Sequence, residues 1–578
     1  MSNETPKRRV SALLSQMSLS QKVGQMIQAD WTQISPEEVT AYEIGSLLNS
    51  GESSPTPNTK AAWQQLLDAY QNAAQKTTLQ IPLIFGIDAV HGHNNVFGTT
   101  IFPHNIGLGA ANDEAGLFEM GKIVAEEVLS TGINWNFSPC LALAEDPRWG
   151  RTYESFSTDS EIVNKLALAF TKGQHAVGMV TCAKHYLGDG NTQIGTGLAN
   201  LVDRGNAILS DLYVKEKLLP PYRSQIEEGV QTIMPSYSSL NGVKMHQNTP
   251  YIKGVLKQKL QFQGFVVTDW QAVREIPNAN FEEQIWIAVS AGIDMLMEPI
   301  LWKATILALK RGVENGHIPI ARIDDAVRRI LQVKWDSGLF DTPTFKPKRD
   351  ELPPFRSESA KKVAVQLAEK SLVLLKNEDQ VLPIKSGKKV LVLGEGADNV
   401  GLQCGGWTID WNGYIDQGEK TTNGITILEG LCKLAAEKNV EIWTDTQLID
   451  QADMVIQVLS EMPYAEMSGD SSDISLTGPK AFFENKKIMA LTDATKTPVV
   501  TLLLAGRHLT HLAQPLKNWS AFIMAYLPGS EGGTAIANLL FGETNFTGKL
   551  PMPWYQTEAD IKKDDAQLLF DVGFSLRY

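Results

Sequence analysis

Asp269 is the residue of this sequence that is best placed to do chemistry. It lies near the end of the apolar run Gly264–Trp270, GFVVTDW. Burying a carboxylate at the end of an apolar strand costs desolvation free energy, so a function or a partner must compensate for it. Trp270 beside it offers a flat apolar surface for the ring of a sugar or of another ligand with an apolar face. A second interpretation is that Asp269 caps the helix that follows, and the motif alone does not decide between the two.

Other polar side chains follow apolar runs in the same half of the chain: Asp88 in GIDAVHGHNN, Arg151 in DPRWGRTYES, Lys184 and His185 in CAKHYLGDG, and Tyr237 in MPSYSSLNG. Each of the ionisable residues Asp88, Arg151, Lys184 and His185 is explained, when taken alone, by a salt bridge inside a barrel mouth, such as Arg151 with Glu154. As a set they suit a polyhydroxylated ligand, because each hydroxyl both donates and accepts hydrogen bonds. Adjacent strand residues point to opposite faces, so Lys184 and His185 can face one ligand only where the strand turns or bulges.

The glycine-rich loop Gln403–Gly413, QCGGWTIDWNG, carries Trp407 and Trp411. Exposed tryptophans on such a loop are costly unless they cover something. The loop is therefore predicted to be a ligand platform or a part of the domain interface.

The loop Ser460–Asp470, SEMPYAEMSGD, offers three carboxylates, those of Glu461, Glu466 and Asp470. A carboxylic acid on a loop that reaches the cleft of another domain can donate a proton to a leaving group. The alternative is a solvated acidic turn, and the loop by itself favours that alternative. Only together with Asp269 does it indicate a site built from two carboxylates.

Six apolar runs in the first 340 residues predict buried parallel strands. They are Pro82–Asp88, Gly132–Pro139, Met179–His185, Gln231–Tyr237, Gly264–Trp270 and Gly292–Glu298. Each is apolar on both faces, as a parallel strand covered by helices should be, and each ends in a polar residue. Helical patterns such as Glu114–Ser130 and Phe281–Ala291 separate them. Repeated strand–helix units of this length predict an α/β fold over residues 1–340, a TIM-like (β/α)8 barrel with its site at the C-terminal strand ends.

The rest of the chain predicts a second α/β domain at residues 358–578. Proline-rich sequence without periodicity indicates a linker at residues 341–357. One long amphipathic helix is predicted for Ser357–Asn377. The segment Val392–Asn399, VLGEGADN, lacks the third glycine of a dinucleotide-binding loop and is interpreted as a tight turn. Five further strands make this domain a doubly wound α/β sandwich: Lys389–Gly394, Val440–Trp443, Met454–Ser460, Pro498–Ala505 and Ala521–Leu527.

Composition argues against several function classes. With 52 Lys and Arg against 65 Asp and Glu, the 578-residue chain has a net charge of −13, so no nucleic-acid partner is expected. Four scattered cysteines, with no CxxC or HExxH motif, give no support to a metal site, and no cofactor is expected. No apolar run is long enough to span a membrane. The polar start lacks the apolar core of a signal peptide, which predicts a cytoplasmic protein, or a periplasmic or secreted one if a leader was removed.

The motifs quoted above together resemble those of glycoside hydrolase family 3, specifically its two-domain β-glucosidases and exo-β-glucan glucohydrolases. The resemblance covers nearly the whole chain, from about SLSQKVGQM to GKLPMPW. It implies a retaining, exo-acting β-glucosidase that releases glucose from the non-reducing ends of β-glucosides or β-glucan oligosaccharides. The expected partners are β-linked gluco-oligosaccharides or β-glucosides. The chain is expected to be a monomer or a homodimer.

The resemblance also implies roles for individual residues. Asp269 matches the catalytic nucleophile, and Glu466, rather than Glu461, matches the acid/base. Trp270 and Trp411 match a pair of indoles that sandwich the next sugar. The residues that match those holding the terminal glucose are Asp88, Arg151, Lys184, His185 and Tyr237, and Met234 and Trp407 are further predicted substrate contacts.

Two features depart from the family pattern. Where glucan glucohydrolases of this type have acidic residues, this chain has the stretch GTGLAN at 195–200 and Gln271. The arginine that follows the nucleophile in the family has only Arg274 as a loose counterpart. These departures bear on linkage preference rather than on the mechanism, in which Asp269 is expected to remain ionised beside Lys184 and Arg151.

Other functions remain open at this stage. One is a β-xylosidase or N-acetyl-β-hexosaminidase of the same family. Another is a catalytically silent sugar-binding sensor, although binding alone requires neither Asp269 nor Glu466. A third is a nucleotide-dependent oxidoreductase, suggested only by the GEG of Val392–Asn399.

Overall fold

The computed structural model describes residues 6–341 and 349–578, so part of the predicted linker lies outside the described residues. In the first half of the chain, eight short strands form one parallel sheet. They are β1 Ile27–Asp30, β2 Ser46–Leu48, β3 Ile84–Ile87, β4 Trp135–Asn136, β5 Val180–Tyr186, β6 Thr232–Pro235, β7 Phe265–Val266 and β8 Leu296–Met297.

The sheet curls so that its two edges meet. Neighbouring strands follow the order β7-β6-β5-β4-β3-β2-β1-β8, which leaves β7 and β8 at opposite ends. A parallel bridge between Val267 and Met295 joins those ends, and the Thr268 amide donates to the Met295 carbonyl at 3.0 Å. The predicted TIM-like α/β barrel is thereby confirmed, and the C-terminal ends of its strands gather at one mouth.

The six predicted strands correspond to β3 to β8, whereas β1 and β2 have no predicted counterpart. Both missed strands are short and carry polar side chains inside the barrel. Gln28 on β1 donates to the Ser46 hydroxyl on β2 at 2.9 Å, and Ser46 donates to the Ile84 carbonyl at 2.9 Å. Because the Gln28 amide nitrogen and the Ser46 hydroxyl have these partners, the two side chains can be buried in strands that lack a continuous apolar run.

Helices cover the barrel. The helix Phe281–Ala291 has the bounds predicted for it: Asn280 forms a capping box with Glu283 at its start, and Gly292 ends it at φ 117°. A π-helical segment, Pro250–Lys259, lies between β6 and β7. The main helices are α1 Pro6–Gln16, α2 Leu19–Gln25, α3 Pro36–Tyr42, α4 Lys60–Ala74, α5 Asn105–Ala111, α6 Glu114–Thr131, α7 Ser160–His175, α8 Leu219–Glu227, α9 Phe281–Ala291, α10 Trp302–Glu314 and α11 Ile320–Asp336.

The second half of the chain forms a six-stranded mixed sheet. Its strands are β9 Val373–Asn377, β10 Lys389–Leu393, β11 Glu441–Trp443, β12 Met454–Ser460, β13 Val499–Leu504 and β14 Ala521–Met524. They pair in the order β9-β14-β13-β12-β10-β11, and β9 alone is antiparallel to its neighbour. The accompanying helices are α12 Glu358–Ser371, α13 Val400–Cys404, α14 Ile427–Lys438, α15 Asn485–Asp493 and α16 Gly532–Leu540.

The prediction of one helix over Ser357–Asn377 is wrong. Helix α12 ends at Ser371, and the apolar run that follows becomes strand β9, whose first three residues are fully buried. Burial on both faces of a sheet favours a strand here over a helix continued past its amphipathic part. The glycines of Val392–Asn399 form a tight turn, as predicted, and Asn399 then caps α13.

Two small sheets complete the structure. Asn206–Ala207, Ser239–Leu240 and Val243–Lys244 form one beside the barrel mouth, and Trp554–Tyr555 pairs with Leu568–Phe570 in the other. Among residues 6–341 and 349–578, none of the helices is long and apolar enough to cross a membrane. The domain boundaries at residues 340 and 358 stay predictions.

Candidate active site

One cavity of about 330 Å³ lies at the C-terminal ends of the barrel strands and is lined by residues from both halves of the chain. This volume is at the lower end of the range of small-molecule sites. All eleven predicted site residues line it: Asp88, Arg151, Lys184, His185, Met234, Tyr237, Asp269, Trp270, Trp407, Trp411 and Glu466.

Asp269 presents one carboxylate oxygen to this cavity without a hydrogen-bond partner. Its Oδ1 accepts a hydrogen bond from the Trp270 amide at 2.6 Å. Its Oδ2 is buried, has no hydrogen-bond partner among the described residues, and lies 3.6 Å from Nε2 of His185. The N-cap position of the following short helix is Gln271, so Asp269 does not cap it. The geometry favours chemistry over capping.

Burial raises the pKa of Asp269 to about 7, and the negative charge of Glu466 acts in the same direction. The cations Arg151 and Lys184 and the Trp270 amide lower the pKa of Asp269, but they do not outweigh desolvation. The sequence predicts that Asp269 remains ionised beside Lys184 and Arg151, whereas in the structure its pKa is raised, because desolvation outweighs the charge of these cations.

This raised pKa predicts a pH-dependent gain in stability for Asp269→Asn. The ordinary pKa is 3.8 and the folded value is about 7, so the folded protein binds the proton more tightly. Between pH 3.8 and about 7 the free energy of unfolding of the parent falls as pH rises, because only the folded state still binds the proton. Above pH 7 both states are ionised, and the parent carries the full free-energy cost of the buried charge. The melting temperature of the variant should exceed that of the parent by a few degrees at pH 8 and by less at pH 5. Thermal unfolding at both pH values measures this, and a gap that shrinks toward pH 8 would contradict it.

Glu466 reaches the cavity on the loop after β12, at the start of the short helix Glu466–Gly469. Its partners are two arginines of the barrel. Arg151 Nη1 lies 3.3 Å from Oε1, and Arg204 Nη2 lies 3.5 Å from Oε2. These contacts are longer than charge-assisted hydrogen bonds, so Glu466 is held by charge while its oxygens remain free to exchange a proton.

Asp470 ties the Glu466 loop to the barrel. Its Oδ1 accepts a hydrogen bond from the Gly150 amide at 2.7 Å, and its Oδ2 accepts from the amides of Val202 and Asp203 at 2.9 and 2.7 Å. At Gly150 a Cβ atom would lie 1.9 Å from the Glu466 carbonyl oxygen, so only glycine permits this approach. The loop of the second domain is thus held in register with the barrel mouth.

Glu461 belongs to a different cluster. Its Oε1 lies 3.0 Å from Arg507 Nε, and its Oε2 accepts from the Tyr464 hydroxyl at 2.8 Å and from the Gly506 amide at 3.0 Å. A buried carboxylate with these partners fixes the loop rather than facing a ligand. The choice of Glu466 over Glu461, implied by the resemblance, agrees with this geometry.

The inner wall of the cavity consists of paired charges. Lys184 donates to Asp88 at 2.6 Å. Arg151 makes two parallel hydrogen bonds with Glu154, at 2.9 and 2.8 Å, and still lines the cavity. The salt bridge that explained Arg151 as a structural residue is therefore present, and it orients the guanidinium toward the site rather than excluding a role there.

Both Lys184 and His185 line the cavity because the pairing of β5 with β6 shifts register between Lys184 and Tyr186. His185 Nδ1 lies 2.8 Å from Asp189, and its Nε2 lies 3.3 Å from Arg151 Nη2. Burial and the nearby cations hold the pKa of His185 well below its usual range. Since Arg151 can only donate, Nε2 of the neutral ring accepts from it, and Nδ1–H donates a hydrogen bond to Asp189.

The tryptophan loop lies at the contact between the two halves of the chain, and both of its tryptophans line the cavity. Trp407 is buried at the contact between the two halves of the chain, where its indole donates to Glu154 at 3.2 Å and its carbonyl accepts from Asn94 at 2.6 Å. Its amide donates to the carbonyl of Trp411 at 2.9 Å. Trp411 is partly exposed and lines the cavity with Trp270, as a sugar platform requires.

Comparison with known proteins identifies the family. Residues 18–333 match the N-terminal domain of glycosyl hydrolase family 3, and residues 372–578 match its C-terminal domain. The chain belongs to glycosyl hydrolase family 3. The two matched family domains correspond to the barrel and to the second α/β domain, both of which line the cavity. The chain is a glycoside hydrolase.

Two named relatives and one solved structure illustrate the similarity of this family 3 chain. The lysosomal beta glucosidase of Dictyostelium discoideum is 32% identical over 607 residues, which span 96% of this chain and 72% of that protein. The periplasmic beta-glucosidase of Salmonella typhimurium is 28% identical over 96% of this chain and 75% of its own length. The crystal structure of an exo-1,3/1,4-beta-glucanase from a Pseudoalteromonas species matches with a TM-score of 0.92 and 34% identity, covering 100% of this chain and 75% of that chain.

The family 3 cavity also contains residues that sequence reasoning missed. Ser50 and Glu52 follow β2, and the strand-end rule finds them only once β2 is recognised. Arg204 enters from a loop with no strand pattern, and its sequence carries no signal of this role. Gln271 lines the cavity, whereas Arg274 donates to Glu298 at 3.0 and 2.7 Å and is not among the lining residues.

Proposed function

We propose that this family 3 enzyme is an exo-acting β-glucosidase that works by retaining double displacement, with Asp269 as nucleophile and Glu466 as acid/base. One observation carries the proposal: a buried carboxylate with an unpartnered oxygen and a carboxylate from the other domain line the same small cavity. Two carboxyl groups about 5–5.5 Å apart are what a retaining mechanism needs.

In the first step Oδ2 of ionised Asp269 attacks the anomeric carbon of the terminal glucose. The glycosidic bond breaks, and Glu466 gives its proton to the departing oxygen, so that a covalent glycosyl-enzyme and a free alcohol result. His185 faces Asp269 Oδ2 as a neutral ring and does not neutralise the attacking charge. Arg151 lies against both His185 and Glu466 and fixes their relative placement.

In the second step the ionised Glu466 takes a proton from water, and the water oxygen attacks the anomeric carbon. The bond to Asp269 breaks, and glucose leaves with the β configuration it had in the substrate. Because Asp269 and Glu466 come from separate sheets, the contacts of Asp470 with Gly150 and Asp203 set the catalytic geometry.

The inner polar wall supports recognition of one terminal sugar. Charged donors and acceptors of Asp88, Lys184 and Arg151 line the cavity, where the hydroxyls of a glucose would satisfy them. Trp270 and Trp411 supply apolar surface for the next sugar ring. A pocket that encloses a single sugar removes units from chain ends, and the relatives named above act as beta glucosidases or an exo-beta-glucanase by their names.

The cellular compartment and the oligomeric state stay predictions. The two relatives are named lysosomal and periplasmic, so they do not agree on one compartment.

The test is product analysis on laminaritetraose and cellotetraose, with the anomer of the first-released glucose followed by NMR. Glucose as the sole initial product, released as the β anomer, is the expected result. Initial release of a disaccharide, or of α-glucose, would overturn the proposal. A panel of nitrophenyl glycosides separates the family alternatives, because faster hydrolysis of the xyloside or of the N-acetylglucosaminide would replace the glucosidase assignment.

A further inference from the structure

Arg204 lines the cavity but has no part in the mechanism above. Its Nη1 donates to Glu275 at 3.0 Å, and its guanidinium lies over the Tyr237 ring, 3.7 Å from the centroid. Its Nη2 lies 3.5 Å from Oε2 of Glu466. One rigid planar cation thus links a barrel carboxylate, a barrel aromatic ring and the carboxylate that the second domain contributes.

Lys244 contacts all three barrel residues of this cluster, Arg204, Tyr237 and Glu275. Its ammonium donates to Glu275 at 2.7 Å, to the Tyr237 carbonyl at 2.9 Å and to the carbonyl of Arg204 itself at 3.3 Å. Both the side chain and the backbone of Arg204 are therefore held by barrel residues, independently of Glu466. An over-determined group of this kind is suited to hold a second group at a set position.

Arg204 is more exposed than the other cations of the cavity. The side chains of Lys184, His185 and Arg151 are 2%, 3% and 5% exposed, whereas those of Arg204 and its partner Glu275 are 16% and 24% exposed. Arg204 therefore approaches Glu466 at a more open part of the cavity than Arg151 does.

We propose that Arg204 is a positioning residue for Glu466, holding the second oxygen of that carboxylate so that its proton is aimed at the departing oxygen. This inference rests on the proposed function. Arg151 holds Oε1 and Arg204 holds Oε2, so loss of either arginine frees the carboxylate to rotate. Because the gap to Arg204 is wider than a hydrogen bond, the arginine orients Glu466 without occupying the oxygen that carries the proton.

The matched test compares Arg204→Lys with Arg274→Lys. A lysine has one nitrogen and cannot bind Glu275 and reach Glu466 with separate fork positions. Arg274 lies just after the nucleophile in sequence but pairs with Glu298 away from the lining residues. Both variants keep the positive charge, so a difference between them does not come from a lost charge, and thermal unfolding checks that each is folded.

The readout is kcat/KM on a series of aryl β-glucosides, from 2,4-dinitrophenyl to phenyl, together with laminaribiose. For Arg204→Lys we expect little change with 2,4-dinitrophenol, which leaves without a proton, and a loss that grows with leaving-group basicity to about tenfold or more for phenyl glucoside and laminaribiose. Arg274→Lys should show no such slope.

Three results would overturn the inference: no loss, an equal loss on every substrate, or a loss on laminaribiose that is absent from all aryl glucosides. The last would make Arg204 a contact of the leaving sugar instead. If the parent protein hydrolyses none of these glucosides, the proposed function itself fails, which the parent measurement shows before any variant is compared.

Discussion

Asp269→Asn should lower kcat on 4-nitrophenyl β-glucoside by about 10⁴-fold or more, because removal of a nucleophile abolishes the covalent route. Asparagine has nearly the same shape, and its amide oxygen can keep the hydrogen bond with the Trp270 amide. The loss therefore reports the missing charge on Oδ2 rather than a rearranged pocket. Steady-state kinetics on the purified variant measures it.

The same variant supplies its own folding control, since it is expected to melt above the parent at pH 8. A variant that is more stable than the parent but inactive would indicate that the buried charge of Asp269 costs stability and serves catalysis. Retention of a substantial fraction of the parental kcat, after contaminating parent enzyme has been excluded, would contradict the role of Asp269.

Glu466→Gln should produce a loss that depends on the leaving group. We expect about 10²–10⁴-fold lower kcat/KM on phenyl β-glucoside, which needs the proton, and a much smaller loss on 2,4-dinitrophenyl β-glucoside. With the latter substrate the glycosyl-enzyme should accumulate, because glutamine cannot activate water. Added azide should then restore turnover and yield β-glucosyl azide, since the Asp269 ester is attacked from the face that water normally uses.

Glu461→Gln is the matched control in the same loop. It breaks a buried pair with Arg507 and should cost stability, on the order of 3–5 kcal/mol. Whatever activity it loses should be equal across leaving groups and should not return with azide. If azide restored the activity of Glu461→Gln and had no effect on Glu466→Gln, the roles assigned to the two glutamates would be exchanged.

The barrel was predictable where strands follow the common rule of apolar runs that end in polar residues. That rule found β5 and β7 and the positions of His185 and Asp269. It failed for β1 and β2, because the buried Gln28 and Ser46 interrupt their apolar character. The hydrogen bond that joins these two side chains links separate strands and leaves no local pattern. It failed again at β9, because the apolar run of this strand directly follows the amphipathic pattern of helix α12 and reads as its continuation.

The candidate site was predictable as a list of residues but not as an electrostatic arrangement. Glu461 and Glu466 have similar surroundings in sequence, and what separates them is Arg507, which is far away along the chain. Arg204 was missed because its loop has neither periodicity nor apolar character, and its contact with Glu466 spans two domains. The raised pKa of Asp269 depends on burial by the whole pocket, which no local motif encodes.

The most direct measurement is to trap the intermediate with 2-deoxy-2-fluoro-β-glucosyl fluoride and locate the adduct by mass spectrometry of proteolytic peptides. The fluorine slows both steps while the good leaving group keeps the first one accessible, so an ester accumulates on the attacking carboxylate. We predict one fluoroglucosyl group per chain, on Asp269, with activity lost in proportion and recovered as the ester hydrolyses. An adduct on Glu466 or elsewhere, or steady turnover without any adduct, would contradict the account.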